Sequence, residues 1–243
     1  FYGGGCNNTI NKTITIINCT GPSVIAIGNS VCQGSCATVT SSGTGGTGPY
    51  TYSWSTGETS QNINPCPITT TTYTVTIRDA GGNTSTSTAI VTTNPAVTLT
   101  TTVTGTTCSD AANGSALAIA GSGTPGYVYT WSKGVSGSTA SGLGPGIYTV
   151  TVTDSKGCVA TSTAEIISPP ALFGQFVKGT ANCTNCGCKE WLMVNASGGT
   201  SPYSYSWPDG YVNRYKNQLC PGAYMVNVKD KNGCTVNVNL TAP

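Results

Sequence analysis

The chain has 243 residues, of which 37% are hydrophobic and 7% are charged, and its formal net charge is +2. Ten Lys and Arg side chains spread over this length cannot build the basic surface that phosphate contacts require, which argues against a nucleic-acid partner. The apolar runs are too short to cross a bilayer, which argues against membrane insertion.

Residues 1–21 are an N-terminal extension that precedes the first repeated unit. The chain begins with Phe1 and not with Met, which favours a processed or excised mature region. Within the extension, residues 9–18 alternate apolar and polar side chains and predict a β-strand. The large apolar side chains on one face of this strand are Ile10, Ile14 and Ile16.

Two interpretations of the extension strand are open. It folds back onto the first domain as an added edge strand, or it adds to a sheet of a neighbouring subunit, as in donor-strand complementation. The second arrangement is head-to-tail and does not close, so it makes fibres.

A Tyr-x-Tyr-x-Trp segment occurs three times after the extension. Its tryptophans are 77 and 76 residues apart, at Trp54, Trp131 and Trp207. A step of this length suits a tandem array of small domains, each with its own core, and is too long for a helical solenoid repeat. Prolines near each start place the predicted domains at 22–94, 95–169 and 170–243.

Each predicted domain consists of short strands joined by Gly-rich turns. Large apolar residues alternate with Thr or Asn at 73–77, 148–152 and 224–228, which indicates strands with one buried face. An Asp-to-Gly turn follows each of these strands and begins at Asp79, Asp154 and Asp230. In the Tyr-x-Tyr-x-Trp strands, both tyrosines and the tryptophan fall on one face, which we expect to fill the interior. The predicted fold class is all-β, with three tandem immunoglobulin-like antiparallel β-sandwich domains plus the extension strand.

Twelve cysteines and no histidine indicate an oxidising, extracellular compartment in which disulfides stabilise small domains. The central domain contains only Cys108 and Cys158, which would pair if that domain is oxidised internally. Cysteines at the same places of the third domain predict a bond between Cys183 and Cys234. The other predicted pairs are Cys188–Cys220, Cys36–Cys66 and Cys19–Cys32.

This assignment leaves over Cys6 and Cys186, one near each end of the chain. Three domains in line would separate them by far more than the ~7 Å Cα limit of a disulfide, so we hypothesise a bond between Cys6 of one subunit and Cys186 of the next. A different internal pairing or a free thiol is the alternative, because spacing alone does not determine connectivity. Cys183, Cys186 and Cys188 could also be read as a zinc site, which the lack of His disfavours.

The sequence offers little for catalysis. Without histidine, the usual general base and most metal and triad arrangements are missing. The recurring turn aspartates are interpreted as structural, and one carboxylate per turn is too few ligands to favour a calcium site. We therefore predict no enzymatic activity, no cofactor and no bound metal.

Three aromatic residues belong to the third domain alone and lie outside the repeated core positions: Trp191, Tyr211 and Tyr215. Ring faces stack on sugars, and Tyr and Trp anchor protein interfaces, so these residues are candidate binding residues. Local packing over the cysteine-rich loop, or inside a subunit contact, is the alternative.

The Tyr-x-Tyr-x-Trp segment of the third domain is followed by Leu-Cys-Pro-Gly-Ala-Tyr at Leu219–Tyr224 and by Asp-Lys-Asn-Gly-Cys at Asp230–Cys234. This pattern resembles the SprB-type repeat of Bacteroidetes gliding adhesins and related large surface proteins. The resemblance is best in the third domain, good in the central one and weakest in the first, where Asn83 replaces the last cysteine. It implies an extracellular, β-rich stalk or adhesin that is exported by the type IX route and has no catalytic residues.

These observations predict a non-catalytic extracellular structural protein, the subunit of a surface filament or adhesive fibre. Subunits are expected to join head-to-tail by N-terminal strand addition, with Cys6 and Cys186 as the candidate covalent link. The expected partner is a second copy of the chain, with surface glycans or other cells as further partners. The alternative is a glycan- or protein-binding adhesin module, or an accessory region of a larger secreted protein.

Overall fold

The computed structural model of the protein describes residues 21–180, 188, 190–220 and 222–242. In these residues the regular secondary structure is β-strand, apart from one 3₁₀ turn at Ser132–Gly134. The predicted all-β class is therefore confirmed. The predicted strand at residues 9–18 lies outside the described residues. Within the described ranges, no helix is long and apolar enough to span a membrane.

The first repeat contains six strands: β1 (Ser23–Ile27), β2 (Ser30–Cys32), β3 (Thr40–Thr44), β4 (Thr51–Trp54), β5 (Thr71–Arg78) and β6 (Thr84–Asn94). They form a two-stranded sheet, β1-β3, and a four-stranded sheet in the order β2-β6-β5-β4. The short strand β2 runs parallel to β6, and the other pairs are antiparallel.

The second repeat contains β7 (Val97–Thr104), β8 (Gly114–Ser122), β9 (Val128–Trp131), β10 (Thr139–Leu143), β11 (Gly146–Thr153) and β12 (Val159–Ile166). The third contains β13 (Phe173–Thr180), β14 (Glu190–Ser197), β15 (Ser204–Ser206), β16 (Tyr215–Leu219), β17 (Gly222–Lys229) and β18 (Thr235–Ala242). The sheet orders are β10-β8-β7 and β12-β11-β9 in the second repeat, and β13-β14-β16 and β15-β17-β18 in the third. The second and third repeats therefore share one topology.

Each repeat has its own hydrophobic core, which takes residues from both of its sheets. In the third repeat, Leu192 and Val194 of β14 meet Val226 and Val228 of β17, and all four side chains are fully buried. The first and second repeats have separate clusters of the same kind. The period-two alternation seen in the sequence produces this burial, because alternate side chains of a strand point to opposite faces.

The repeated tryptophan is the largest side chain of each core and is only 2–3% exposed. Its indole N–H donates to the backbone carbonyl oxygen six residues further along the chain, at 2.9 Å in the first repeat, 3.0 Å in the second and 2.8 Å in the third. The tyrosines of the same strands were expected in the interior, but they are half-buried. In the third repeat, for example, Tyr203 packs at the margin of the core and donates its hydroxyl to the Gly198 carbonyl oxygen at 2.7 Å.

By its internal contacts the chain divides into two compact units. The first consists of Phe1–Thr98, Ser122–Tyr127 and Thr153–Val159, and the second of Leu99–Gly121, Val128–Val152 and Ala160–Pro243. The three core clusters follow the sequence repeats, whereas these units assign two loops of the second repeat to the first unit. The domain boundaries at 22–94, 95–169 and 170–243 stay a prediction.

Candidate functional sites: turn aspartates, disulfides and an aromatic sheet face

A buried aspartate holds the turn between the last two strands of every repeat. Asp79, Asp154 and Asp230 are only 4–5% exposed. One carboxylate oxygen of each aspartate accepts the backbone N–H four residues later, at 2.8 Å in all three repeats. The other accepts the backbone N–H of a threonine in the loop before the tryptophan strand, at 3.2, 2.8 and 2.8 Å. The carboxylate therefore joins the turn to that loop.

These hydrogen bonds favour the ionised carboxylate. The Thr124 N–H is the largest influence on the pKa of Asp154 and lowers it; burial acts in the opposite direction, and the N–H groups of Cys158 and Lys156 lower the pKa further. For Asp79 and Asp230, burial is the largest influence and raises the pKa, but the hydrogen bonds together outweigh it. All three carboxyl groups therefore have a pKa below the ordinary value of 3.8.

A glycine faces each carboxylate across the loop, at Gly46, Gly123 and Gly199. A methyl group on these glycines would lie 2.5, 2.8 and 2.7 Å from the aspartate Oδ2, closer than atoms pack. The recurring glycine thus leaves room for the carboxylate. Within the described ranges, no three His, Cys, Asp or Glu side chains are grouped so that they could hold a metal ion.

Four disulfides join the eight cysteines that the structure describes. The bonds Cys36–Cys66 and Cys188–Cys220 match the pairs expected from position. In the third repeat, Cys188 lies just before β14 and Cys220 just after β16, so the bond closes the end of two paired strands. Because Cys188 is bonded to Cys220, it is not a thiolate ligand of the zinc group considered above.

The other two bonds differ from the prediction and link neighbouring repeats. Cys32 is bonded to Cys158 and Cys108 to Cys234, with Cα–Cα distances of 5.6 and 5.7 Å. The predicted pairs Cys108–Cys158, Cys183–Cys234 and Cys19–Cys32 are therefore wrong. The error came from pairing each cysteine within its own domain, although the Asp-to-Gly turn that carries the second cysteine lies beside the preceding repeat.

Further contacts accompany the second of these bonds. The side-chain amide of Asn232 donates to the Thr107 carbonyl oxygen at 3.1 Å and to the Thr200 hydroxyl at 3.0 Å. Asn232 belongs to the Asp-to-Gly turn of the third repeat, and Thr107 directly precedes Cys108 in the second. The Cys108–Cys234 disulfide and the hydrogen bond from Asn232 to Thr107 therefore both attach the turn of the third repeat to the second repeat.

A sequence signal for this connectivity exists and was missed. Both bonds close a sequence separation of 126 residues, because each cysteine pair is displaced by one repeat from the other pair. Asn83 stands at the corresponding turn of the first repeat, so that turn carries no cysteine for a bond of this kind. A constant separation longer than one repeat is the pattern that bonds between neighbouring repeats leave.

Four cysteines lie outside the described residues: Cys6, Cys19, Cys183 and Cys186. The hypothesis of an intersubunit bond between Cys6 and Cys186 rested on pairing Cys19 with Cys32 and Cys183 with Cys234. Because those pairs are wrong, elimination no longer selects Cys6 and Cys186 alone among the four. The intersubunit bond stays a prediction.

Two of the three candidate binding aromatics meet on the outer face of the sheet β13-β14-β16. Leu192 and Val194 point into the core, so Trp191 lies on the opposite, outer face of β14. The rings of Trp191 and Tyr215 are 5.8 Å apart between centroids and inclined by 34°. The Tyr215 side chain lies in the outermost strand of the sheet and is 40% exposed.

The third candidate, Tyr211, belongs to a different group of side chains. The Lys216 ammonium lies 5.5 Å from the Tyr211 ring centroid and 5.2 Å from that of the core tryptophan Trp207. Lys216 also forms an ion pair with Asp209, and this contact lowers the pKa of the Asp209 carboxyl. Tyr211 therefore belongs to the loop that follows Trp207 and is not part of the pair formed by Trp191 and Tyr215.

Comparison with known proteins gives a family-model match to part of the chain. The family model of the SprB repeat matches residues 29–59, which confirms the resemblance. The match falls in the first repeat, where the resemblance in sequence pattern is weakest. No curated protein is a significant match to the chain.

Solved structures with immunoglobulin domains are similar in fold. The N-terminal eight immunoglobulin domains of the Down syndrome cell adhesion molecule align with a TM-score of 0.51 and 10% identity, over 92% of this chain and 36% of that one. A fragment of titin with three immunoglobulin domains, in a mutated variant, aligns with a TM-score of 0.39 and 12% identity, over 92% of this chain and 99% of that one. The alignment with the Down syndrome cell adhesion molecule confirms the predicted immunoglobulin-like sandwich fold. The SprB match indicates an extracellular, adhesion-type structural module.

Proposed function

We propose that the protein is a non-catalytic structural subunit of an extracellular surface filament or adhesive fibre. Subunits join head-to-tail by addition of the N-terminal strand, residues 9–18, to a sheet of the next subunit. The proposal also includes a disulfide between subunits, with Cys6 and Cys186 as the first candidates.

The disulfides between neighbouring repeats are the observation that supports this role best. Tandem domains need no disulfide bond between them in order to fold, since each has its own core. Here the bonds Cys32–Cys158 and Cys108–Cys234 fasten the Asp-to-Gly turns of the second and third repeats to the preceding repeat. Such cross-links suit a protein that has to remain extended and intact outside the cell.

The sheets supply places to which a strand can add. Each repeat has its own last strand, β6, β12 or β18, so an incoming strand adds to an edge and does not replace a missing strand. In the third repeat, β16 and β18 are the outermost strands of their sheets among the described residues. The first repeat protects the outer side of β3 with side chains: Asn62 Oδ1 accepts the Ser41 N–H at 3.1 Å, and Gln61 Nε2 donates to the Ser41 carbonyl oxygen at 2.8 Å.

Electron microscopy of substituted chains tests assembly. Replacing Ile10, Ile14 and Ile16 by Asn removes the apolar face of the predicted strand, and we expect it to abolish fibres while thermal unfolding of the repeats stays unchanged. The matched control replaces Thr13 and Thr15 by Asn on the other face of the strand, and this variant should still form fibres.

The covalent link between subunits is measured separately. Non-reducing electrophoresis of the native chain should give a ladder that collapses on reduction, and Cys6→Ser should remove the ladder but keep the fibres. Fibres that survive the triple isoleucine substitution would overturn strand addition. A monomer band in both lanes would overturn the intersubunit bond alone.

A further inference from the structure

The outer face of the sheet β13-β14-β16 in the third repeat carries a flat apolar surface that the core does not use. In antiparallel register, Val177 of β13 lies opposite Met193 of β14, and Met193 lies opposite Tyr215 of β16. These three side chains therefore form a row across the sheet. Val177 is 38% exposed and Tyr215 is 40% exposed, so the row faces solvent.

Trp191 forms the next row and lies flat because its neighbour is a glycine. Gly179 is directly opposite Trp191 in the register. A methyl group at position 179 would lie 2.5 Å from Cε2 and Cζ2 of the indole, so any larger residue would lift the ring off the sheet. The indole thus lies close to the backbone of β13 at Gly179 and is partly exposed to solvent.

The second repeat shows that folding does not require this surface. Ser115 and Thr139 of the second repeat occupy the register positions of Trp191 and Tyr215, since Thr139 pairs with Leu117 as Tyr215 pairs with Met193. The second repeat has the same topology and its own core with these small polar residues. The fold therefore does not require the pair formed by Trp191 and Tyr215.

The surface carries no charge and has polar groups at one end. It is formed by Gln175, Val177, Gly179, Trp191, Met193, Asn195 and Tyr215, and no Asp, Glu, Lys, Arg or His is among them. Gln175 and Asn195 are opposite each other and exposed, and each amide can both donate and accept hydrogen bonds. Four residues along β14 separate Trp191 from Asn195, a distance of about 13 Å.

We propose that this sheet face binds neutral saccharides whose pyranose rings stack on Trp191 and Tyr215. The C–H face of an equatorially substituted sugar is flat and apolar and fits the partly exposed indole of Trp191, while its hydroxyl groups reach the amides of Gln175 and Asn195. A sugar carrying carboxylate or sulfate groups would lose hydration without finding a positive partner on this face. The binding site is independent of assembly, so a chain that forms no fibres still has it.

Tryptophan fluorescence provides a specific measurement. The chain has four tryptophans, and three of them are core residues that are only 2–3% exposed. A saccharide that stacks on the sheet face therefore perturbs the emission of Trp191 alone. The probes are soluble oligosaccharides of cellulose, chitin and xylan, and the matching insoluble polysaccharides serve for pull-down.

The decisive variant carries Trp191→Ser and Tyr215→Thr, the residues of the second repeat at the same positions. It should fold with the stability of the native chain and lose retention on the polysaccharide. Gly179→Val keeps the tryptophan but displaces its ring, and should weaken binding about tenfold, comparable to the loss of one aromatic contact. Tyr211→Ala, an exposed aromatic outside the surface, should bind as the native chain does.

Three outcomes would overturn the proposal. The first is no retention of the native chain on cellulose, chitin or xylan. The second is unchanged binding by the Trp191→Ser and Tyr215→Thr variant. The third is a native chain that self-associates through this face, with association lost in the variant and no saccharide bound, which would make the face a contact between copies of the chain.

Discussion

The turn aspartates show how a single charged group can be structural. Asp154 is almost fully buried and accepts hydrogen bonds from Thr124, Lys156 and Cys158. A carboxylate with this many backbone donors is more stable ionised than protonated, which is why its pKa is lowered. The same arrangement at Asp79 and Asp230 gives the chain three such groups.

Acid should therefore weaken the fold through these carboxyl groups. Because their pKa in the folded chain lies below the ordinary value of 3.8, the stabilisation is present above about that pH and is lost as the pH falls through the folded-state pKa. Asp154→Asn should melt at a lower temperature than the native chain at pH 7, and the difference should shrink towards pH 2. Circular dichroism melts across this range provide the measurement.

Asp110→Asn is the control for that series, since Asp110 is exposed. Its melting temperature should follow that of the native chain at every pH. A deficit of the Asp154→Asn variant that is as large at pH 2 as at pH 7 would contradict a role for the ionised carboxylate.

For single residues, the sequence predicted burial where it depends on the alternation within one strand. The burial of Trp54, Trp131 and Trp207 follows from their recurrence in alternating strands. The pairing of Trp191 with Tyr215 over Gly179 could not be predicted, because residues far apart in sequence meet only once the strand register is known.

At the scale of elements, disulfide connectivity depends on which turn lies beside which strand. Strand positions were predictable from alternation, because β5, β11 and β17 contain the predicted segments 73–77, 148–152 and 224–228. The bonds of Cys32 and Cys108 were not, because a cysteine bonds the thiol that the fold brings near, whichever repeat carries it. Position within the repeat was sufficient to predict only Cys36–Cys66 and Cys188–Cys220, each of which lies within a single repeat.

Peptide mapping and unfolding of cysteine variants test this connectivity. Non-reduced digests should contain peptides linked through Cys32 and Cys158, and a peptide that links Cys108 to Cys158 would contradict the structure. Removing the Cys32–Cys158 bond by double Ala substitution should reduce the free energy of unfolding by about 5 kcal/mol, because the bond closes a loop of 126 residues. The matched Cys36 and Cys66 double substitution opens a loop with a separation of 30 residues and should cost about 3.6 kcal/mol.

For the whole molecule, the recurrence of Tyr-x-Tyr-x-Trp was enough to predict three similar units. Local patterns cannot show how repeats share contacts, and the division by contacts gives two compact units. The loop Thr153–Val159 of the second repeat is counted with the first unit, and it carries the cysteine that bonds Cys32. The two overlapping covalent loops, 32–158 and 108–234, are thus a property of the whole chain.

Single-molecule stretching should detect these overlapping loops. Without disulfides, the segment from residue 32 to residue 234 can extend to about 730 Å at 3.6 Å per residue. With both bonds, the shortest covalent route crosses from Cys32 to Cys158, returns along the chain to Cys108 and crosses to Cys234. That route contains about 50 extensible residues, or about 180 Å. Equal extension lengths in oxidised and reduced protein would contradict the overlap.

The direction of that route has a mechanical meaning. Force applied to the two ends is transmitted along residues 158 to 108 in the direction opposite to the chain. It bypasses residues 33–107 and 159–233. Strands β3–β6 and β13–β17 are thus shielded from tension as long as both crosslinks hold. Tension is instead carried by the terminal strands β1, β2 and β18 and by strands β8–β11 of the second repeat, and a reducing environment would extend it to the residues that the crosslinks bypass.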